Sequence, residues 1–206
     1  MKNRSRGFTL IELMVVLSIA AAILVLGVPA FNNFRDNGRL TNAANDMLSA
    51  TVVARTEAIK RQLQVSLCPS ANPTADEPTC TANSTAGWIV FVDTDGNCTR
   101  ATGGTETLIG SRALDNSIAT NPLNVKYDGV CLSFAPTGFR QEVSGKTTLN
   151  HILMCDKRGT GKQAGLDVSA ARGIIISSTG RARITRALTG GMADDITQWG
   201  TAGVCP

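Results

Sequence analysis

From Phe8 to Val28 the sequence is almost wholly apolar, and this stretch constrains the chain more than any other. It is long enough to cross a bilayer as a helix, which takes about 20 residues. A single charge, Glu12, interrupts it near one end. A carboxylate in hydrocarbon costs roughly 2.5–3.5 kcal/mol even on the lenient insertion scale, so it calls for a partner. The leader before it carries Lys2, Arg4 and Arg6 and no acid. That asymmetry holds the leader in the cytoplasm and sends the rest of the chain outward. A cleaved secretory signal would have a shorter apolar core, with its cleavage site after the core. Here the small residue, Gly7, stands in front.

The remainder suits one exported globular domain. Of 206 residues 17% are charged, and loss of the three leader cations takes the formal charge from +4 to +1. Bulk charge therefore selects no partner. All six cysteines, Cys68, Cys80, Cys98, Cys131, Cys155 and Cys205, follow the apolar segment. An even count in an exported domain predicts disulfides. The count leaves connectivity open. Separation along the chain favours Cys68–Cys80 and Cys98–Cys131, with Cys155–Cys205 remaining. No Cys-x-x-Cys occurs and His151 is the sole histidine, so no metal site or cofactor is expected. Spacing suggests no catalytic triad or acid pair, so an enzyme is not expected. Gly145-Lys146-Thr147 mimics the end of a phosphate loop, but Arg140 stands where the glycine belongs, and the segment reads as a turn. Asp93-Thr94-Asp95-Gly96-Asn97 resembles part of a calcium loop without its distal glutamate. A strand-ending turn explains it better.

The helix is expected to continue past Gly27 and Pro29, a soft point for bending, to about Gln62. Beyond Pro29 its pattern becomes amphipathic, with Leu40, Ala43, Ala44, Met47, Thr51, Ala54 and Ala58 on one face. The period then falls to two. Strands are predicted at 62–68, 87–93, 107–109, 124–127, 130–135, 149–155, 172–177 and 181–187, with a loop at 70–86. A long helix followed by short antiparallel strands is an α+β arrangement.

The basic leader, Gly7, and Phe8-Thr9-Leu10-Ile11-Glu12-Leu13 resemble the start of type IV pilins and type II secretion pseudopilins. Further stretches resemble the GspH/FimT branch of that superfamily. These are residues 40–45, 54–59, 65–68, 87–93 and 174–183. The resemblance implies a pilin-like fold, a long helix packed on antiparallel sheet. It implies a leader at 1–7, an assembly helix at 8–30 and a periplasmic domain at 31–206. It also implies cleavage by prepilin peptidase between Gly7 and Phe8, methylation of Phe8, and pairing of Glu12 with a neighbouring subunit's N-terminal amine. The implied partners are other pilins. The implied location is the inner membrane before assembly and the fibre afterwards.

Charge is unevenly spread over the domain. Residues 155–186 hold seven basic residues, Lys157, Arg158, Lys162, Arg172, Arg181, Arg183 and Arg186, against two acids, a local +5. Residues 68–130 hold seven acids and three bases, a local −4. Arg181 and Arg183 share a strand face, and Gly180 before them suits a turn. Paired guanidinium groups suit phosphate. The Gly-Arg-x-Arg pattern is similar to one implicated in DNA binding by FimT-type minor pilins. The function expected is a minor pilin that binds DNA without sequence preference for uptake. The alternative is a structural minor pilin or pseudopilin that primes a fibre, with the arginines only blunting a sheet edge.

Overall fold

The computed structural model describes residues 8–116, 121–160, 162–163 and 166–187. They form one helix, α1 (Leu10–Arg61), and ten strands. The strands are β1 (Val65–Ser70), β2 (Gly87–Val92), β3 (Leu108–Ala113), β4 (Asn124–Tyr127) and β5 (Leu132–Phe134). They continue with β6 (Arg140–Gln141), β7 (His151–Cys155), β8 (Lys162–Gln163), β9 (Leu166–Ile176) and β10 (Ala182–Ala187). Two compact units, Met1–Gly38 and Arg39–Pro206, divide the chain within α1.

In the first unit the helix begins with a cap that the sequence reading did not identify. Thr9 Oγ1 accepts a hydrogen bond from the Glu12 amide at 3.2 Å. Threonine before the first turn with glutamate three residues on is the pattern of a capping box. The carboxylate also lies at the positive end of the helix dipole. The helix passes through Gly27 and Pro29 without a break.

In the second unit the predicted amphipathic face is the buried one. Leu40, Ala44, Met47, Ala54 and Ala58 are fully buried, and Thr51 nearly so. Lys60 and Arg61 close the helix by pairing with Glu57 at 3.4 Å and 2.5 Å, a favourable arrangement in a last turn. Gln62 then takes a left-handed conformation, φ 55°. Its side-chain amide donates to Ile59 O at 2.7 Å, which stops the helix where sequence placed its end.

Two antiparallel sheets share a core with this helix face. The first runs β3-β2-β1-β5-β6 and the second β10-β9-β7-β4, with β8 beside β9. Val65, Leu67, Trp88, Val90, Leu132 and Phe134 enter the core from the first sheet. Val125, Tyr127, Ile152, Met154, Ile174 and Ile176 enter it from the second. Burying each large side chain contributes roughly 1.5–3 kcal/mol. β1 and β2 are buried on both faces, not one. Their alternate residues Cys68, Ile89 and Phe91 pack with Cys80 and Leu108 in a second cluster. The loop after β1, tied down by Cys68–Cys80, therefore acts as a second cover.

Two short strands, β6 and β8, went unpredicted, and β9 starts well before the expected residue 172. A strand of two residues carries no period to read.

Candidate nucleic-acid interface

The exposed arginines stand at the turn between β9 and β10. The chain reverses over Ser177–Arg181. The Gly180 amide donates to Ser177 O at 2.9 Å and the Ser177 amide to Arg181 O at 2.9 Å. Ser177 Oγ accepts from the Arg181 amide at 3.1 Å. Gly180 closes the turn with φ +79°, a conformation that favours glycine. The glycine has a second cause. A Cβ there would stand 2.5 Å from Cε1 of the buried Phe134.

β10 leaves this turn with its alternation fixed by the core. Ala182 and Ile184 pack against the core cluster, so Arg181 and Arg183 face the other way, and both are exposed. With Ile175, Ser177 and Thr179 they line an open concavity of about 490 Å³. The Arg181 guanidinium has no partner among the described residues. On its other side Arg181 borders a groove of about 360 Å³, walled by Thr51, Val52, Arg55, Thr56 and Ile59 of α1 and by Gly180 and Ala182. Among the described residues no acidic residue lines either surface. Glu57, on the same helix, is held by Arg61 and Lys60. The Arg61 hydrogen bond outweighs desolvation and keeps the Glu57 carboxyl below its usual value.

Gly180 and the seven basic residues of 155–186, all expected from sequence to contribute to DNA binding, do not form one surface. Arg172 is 5% exposed. It donates to the carbonyls of Ala170 and Ala171 and, at 3.0 Å, to Thr41 Oγ1. Desolvation, with Arg186 and Arg158 nearby, pulls its pKa down to about 10. It is an internal brace and not a contact for a ligand. The reason was present in the pattern, because Arg172 shares a strand face with Ile174 and Ile176, both in the core. Arg158 is also removed from the patch. It grips the buried Asp156 from Nε and Nη2, at 3.0 and 2.6 Å. Arg186 donates from Nε to Ser169 O at 3.0 Å and is half-buried. Lys157 is exposed. Lys162 lies on β8, its side chain outside the described residues.

Arg55 and Phe139 were missed. Arg55 lies off the predicted core face of α1, and only the packing of α1 beside the β9–β10 turn brings it into one groove with Arg181. Phe139, 56% exposed, was lost in an irregular stretch.

A family model described as "Type II transport protein GspH" matches residues 43–180. The chain belongs to the GspH family. A prokaryotic N-terminal methylation motif matches residues 2–28. "Prepilin peptidase-dependent protein D" of Escherichia coli K12 is 46% identical over 54 residues, 26% of this chain and 34% of that protein. The match thus spans about a third of that relative's length. The type IV minor pilin FimU of Pseudomonas aeruginosa aligns at 17% identity, covering 78% of this chain and 98% of FimU, with a TM-score of 0.44. A second crystal form of FimU gives 16%, 75% and 98%, with a TM-score of 0.42. This GspH-family chain has the expected α+β fold, one long helix with antiparallel sheets.

At the start of the chain Gly7 lies outside the described residues. Phe8 is 84% exposed, and the side chains from Leu10 to Leu24 that are large and apolar are all at least half exposed. Among the described residues no helix is long and apolar enough to cross a membrane. The side chains of Leu26, Pro29 and Ala30 fall outside that description.

Two of the expected disulfides are present, Cys68–Cys80 and Cys98–Cys131. Cys155 is also disulfide-bonded, and its expected partner, Cys205, lies outside the described residues. At the acidic end of the domain Asp93, Asp95 and Glu106 bring carboxylate oxygens within 4.8 Å of one another. The turn itself uses the two buried ones. Asp93 accepts from Ser66 Oγ at 2.6 Å, the Cys98 amide at 3.0 Å and the Asn97 amide at 3.1 Å. Glu106 accepts from the Thr94 and Ala101 amides at 3.0 and 2.7 Å. The resemblance to a calcium loop therefore has a structural cause: the carboxylates satisfy backbone amides of a long turn.

Proposed function

We propose that this protein is a minor type IV pilin which, once in its fibre, binds DNA through phosphate. The observation that carries the reading is the pair Arg181 and Arg183, exposed on one side of a fixed turn, with no acid among the described residues that line it. Two guanidinium groups held together repel unless an anion lies between them, and arginine matches phosphate geometry. Lys157 and Lys162 would add to the field without fixing register. Contacts of this kind position a duplex and carry no base information.

The N-terminal segment fits the same reading. Before assembly the stretch from Phe8 to Val28 would lie in the inner membrane, with residues 1–7 cytoplasmic and the domain periplasmic. Cleavage after Gly7 frees the Phe8 amine for methylation, and Glu12 pairs with such an amine on a neighbour. Mass spectrometry of the exported protein should find Phe8 as the first residue. An intact leader would remove this part of the reading.

DNA binding is tested with the full-length protein in nonionic detergent, by gel shift on unrelated duplexes over a salt series. Affinity should fall steeply as salt rises, since each neutralised phosphate releases counterions. Arg181→Gln with Arg183→Gln should weaken every duplex alike and flatten the slope of log K against log salt by roughly 2. Wild-type protein that ignores DNA at low salt would leave a structural pilin or pseudopilin that primes assembly.

A further inference from the structure

The groove beside Arg181 is more than a rim for phosphates. Val52, Ile59 and Phe139 are 57%, 44% and 56% exposed. They are three of the five large apolar side chains exposed among the described residues beyond Gly38, the others being Val53 and Leu63. Exposed apolar surface collected around cations marks a binding surface more than chance scatter.

Backbone distances place Phe139 with them. A Cβ on Gly138 would lie 2.6 Å from Cδ1 of Ile59 and 3.5 Å from Nε of Arg55. A Cβ on Gly180 would lie 3.4 Å from the Arg140 amide nitrogen. The short segment 138–140 is therefore wedged between the helix wall of the groove and the Gly180 turn. It is held as a tight hairpin, with the Gly138 amide on Ala135 O at 2.8 Å and the Ala135 amide on Phe139 O at 2.9 Å. Phe139 is thus an exposed aromatic residue on a fixed turn, and its chain neighbours Gly138 and Arg140 lie against Ile59 and Arg55 on one side and Gly180 on the other.

We infer that this groove takes a single-stranded nucleic acid, its phosphates on Arg55, Arg181 and Arg183 and its bases against Phe139, Ile59 and Val52. The inference rests on the phosphate-binding reading above and adds to it the form of nucleic acid. A duplex keeps its base faces stacked inside and offers this surface only phosphates. It can use the arginines on the rim and gains nothing from the apolar wall. An unpaired strand exposes faces that stack on an aromatic ring whatever the base, while a basic groove follows its backbone. Among the described residues no acid lines the groove, which suits a polyanion and disfavours a mixed-charge peptide.

The test uses full-length protein in nonionic detergent, a labelled oligo(dT) and a labelled duplex of equal length, read by fluorescence anisotropy. The oligo(dT) should bind more tightly than the duplex. Phe139→Ala should weaken oligo(dT) about tenfold and leave duplex unchanged, and Phe139→Trp should restore it. Arg55→Gln should weaken oligo(dT) and flatten its salt slope by about 0.7. Circular dichroism of each variant should match wild type, as expected for exposed positions. Equal oligo(dT) binding by Phe139→Ala, an equal loss for duplex, or a wild-type preference for duplex would overturn the single-strand groove while leaving phosphate binding intact. So would a Phe139→Ala protein that binds oligo(dT) normally but no longer enters fibres, which would make the patch a subunit contact. Failure to bind either nucleic acid would overturn both readings.

Discussion

Gly180 lies so close to Phe134 that a methyl group on it would stand 2.5 Å from the ring carbon Cε1. The turn that presents Arg181 is thereby locked to the core of the first sheet, since Phe134 is fully buried in β5. The position of Arg181 is coupled to the core at this contact. Whatever Arg181 binds, it binds from a support that cannot shift without repacking Phe134.

Gly180→Ala should be costly for two separable reasons. The left-handed backbone alone costs roughly 1–2 kcal/mol, and forcing a methyl into packed space adds roughly 1–3 kcal/mol. Gly145→Ala isolates the first cost, because Gly145 has φ +72° and open space around its Cβ position. Thermal unfolding followed by circular dichroism should rank Gly180→Ala well below Gly145→Ala. Equal melting temperatures would mean that the ring moves aside freely.

Arg172 should behave as a brace. Arg172→Gln should lower stability, since it strips buried bonds to Ala170 O and Thr41 Oγ1, with a loss of roughly 1–3 kcal/mol. It should leave the salt slope for DNA unchanged, in contrast to the Arg181 and Arg183 change. A flattened slope with unaltered melting would put Arg172 back among the contacts.

Asp156 gives a pH signature. Burial pushes its carboxyl upward, but hydrogen bonds and charge from Arg158 outweigh that and hold it below the ordinary value. A depressed carboxylate contributes stability that is present above the unfolded pKa and lost as pH falls through the folded one. Acid unfolding should therefore show a loss below about pH 4, the ordinary aspartate range. Asp156→Asn should be less stable than wild type at pH 7, and the gap should close in acid.

The two described disulfides should differ in weight. Their separations are 12 and 33 residues, which in the chain-entropy model correspond to about 3 and about 4 kcal/mol. Replacing Cys98 and Cys131 by alanine should cost more in denaturant midpoint than replacing Cys68 and Cys80. The reverse order would show that covering β1 outweighs loop closure.

Local periodicity was enough for the helix and most strands. The spacing of Leu40, Ala43, Ala44, Met47, Ala54 and Ala58 named the buried face, and short chain separations named two disulfides. Arg181 and Arg183 were legible too, because the turn and the two-residue period act within one segment. The N-terminal methylation motif lies in consecutive residues and so needed no fold to be read.

What sequence could not decide was which distant segments meet. The division into two sheets, the second cover over β1, and the removal of Arg172 and Arg158 from the basic patch depend on pairings between segments far apart in the chain. Charge counted along the sequence cannot distinguish an arginine bonded inside from one facing water, since both add the same unit. Arg55, Phe139 and Arg181 are separated by more than forty residues at each step, and they became neighbours only when α1, the β5–β6 hairpin and the β9–β10 turn packed on one core.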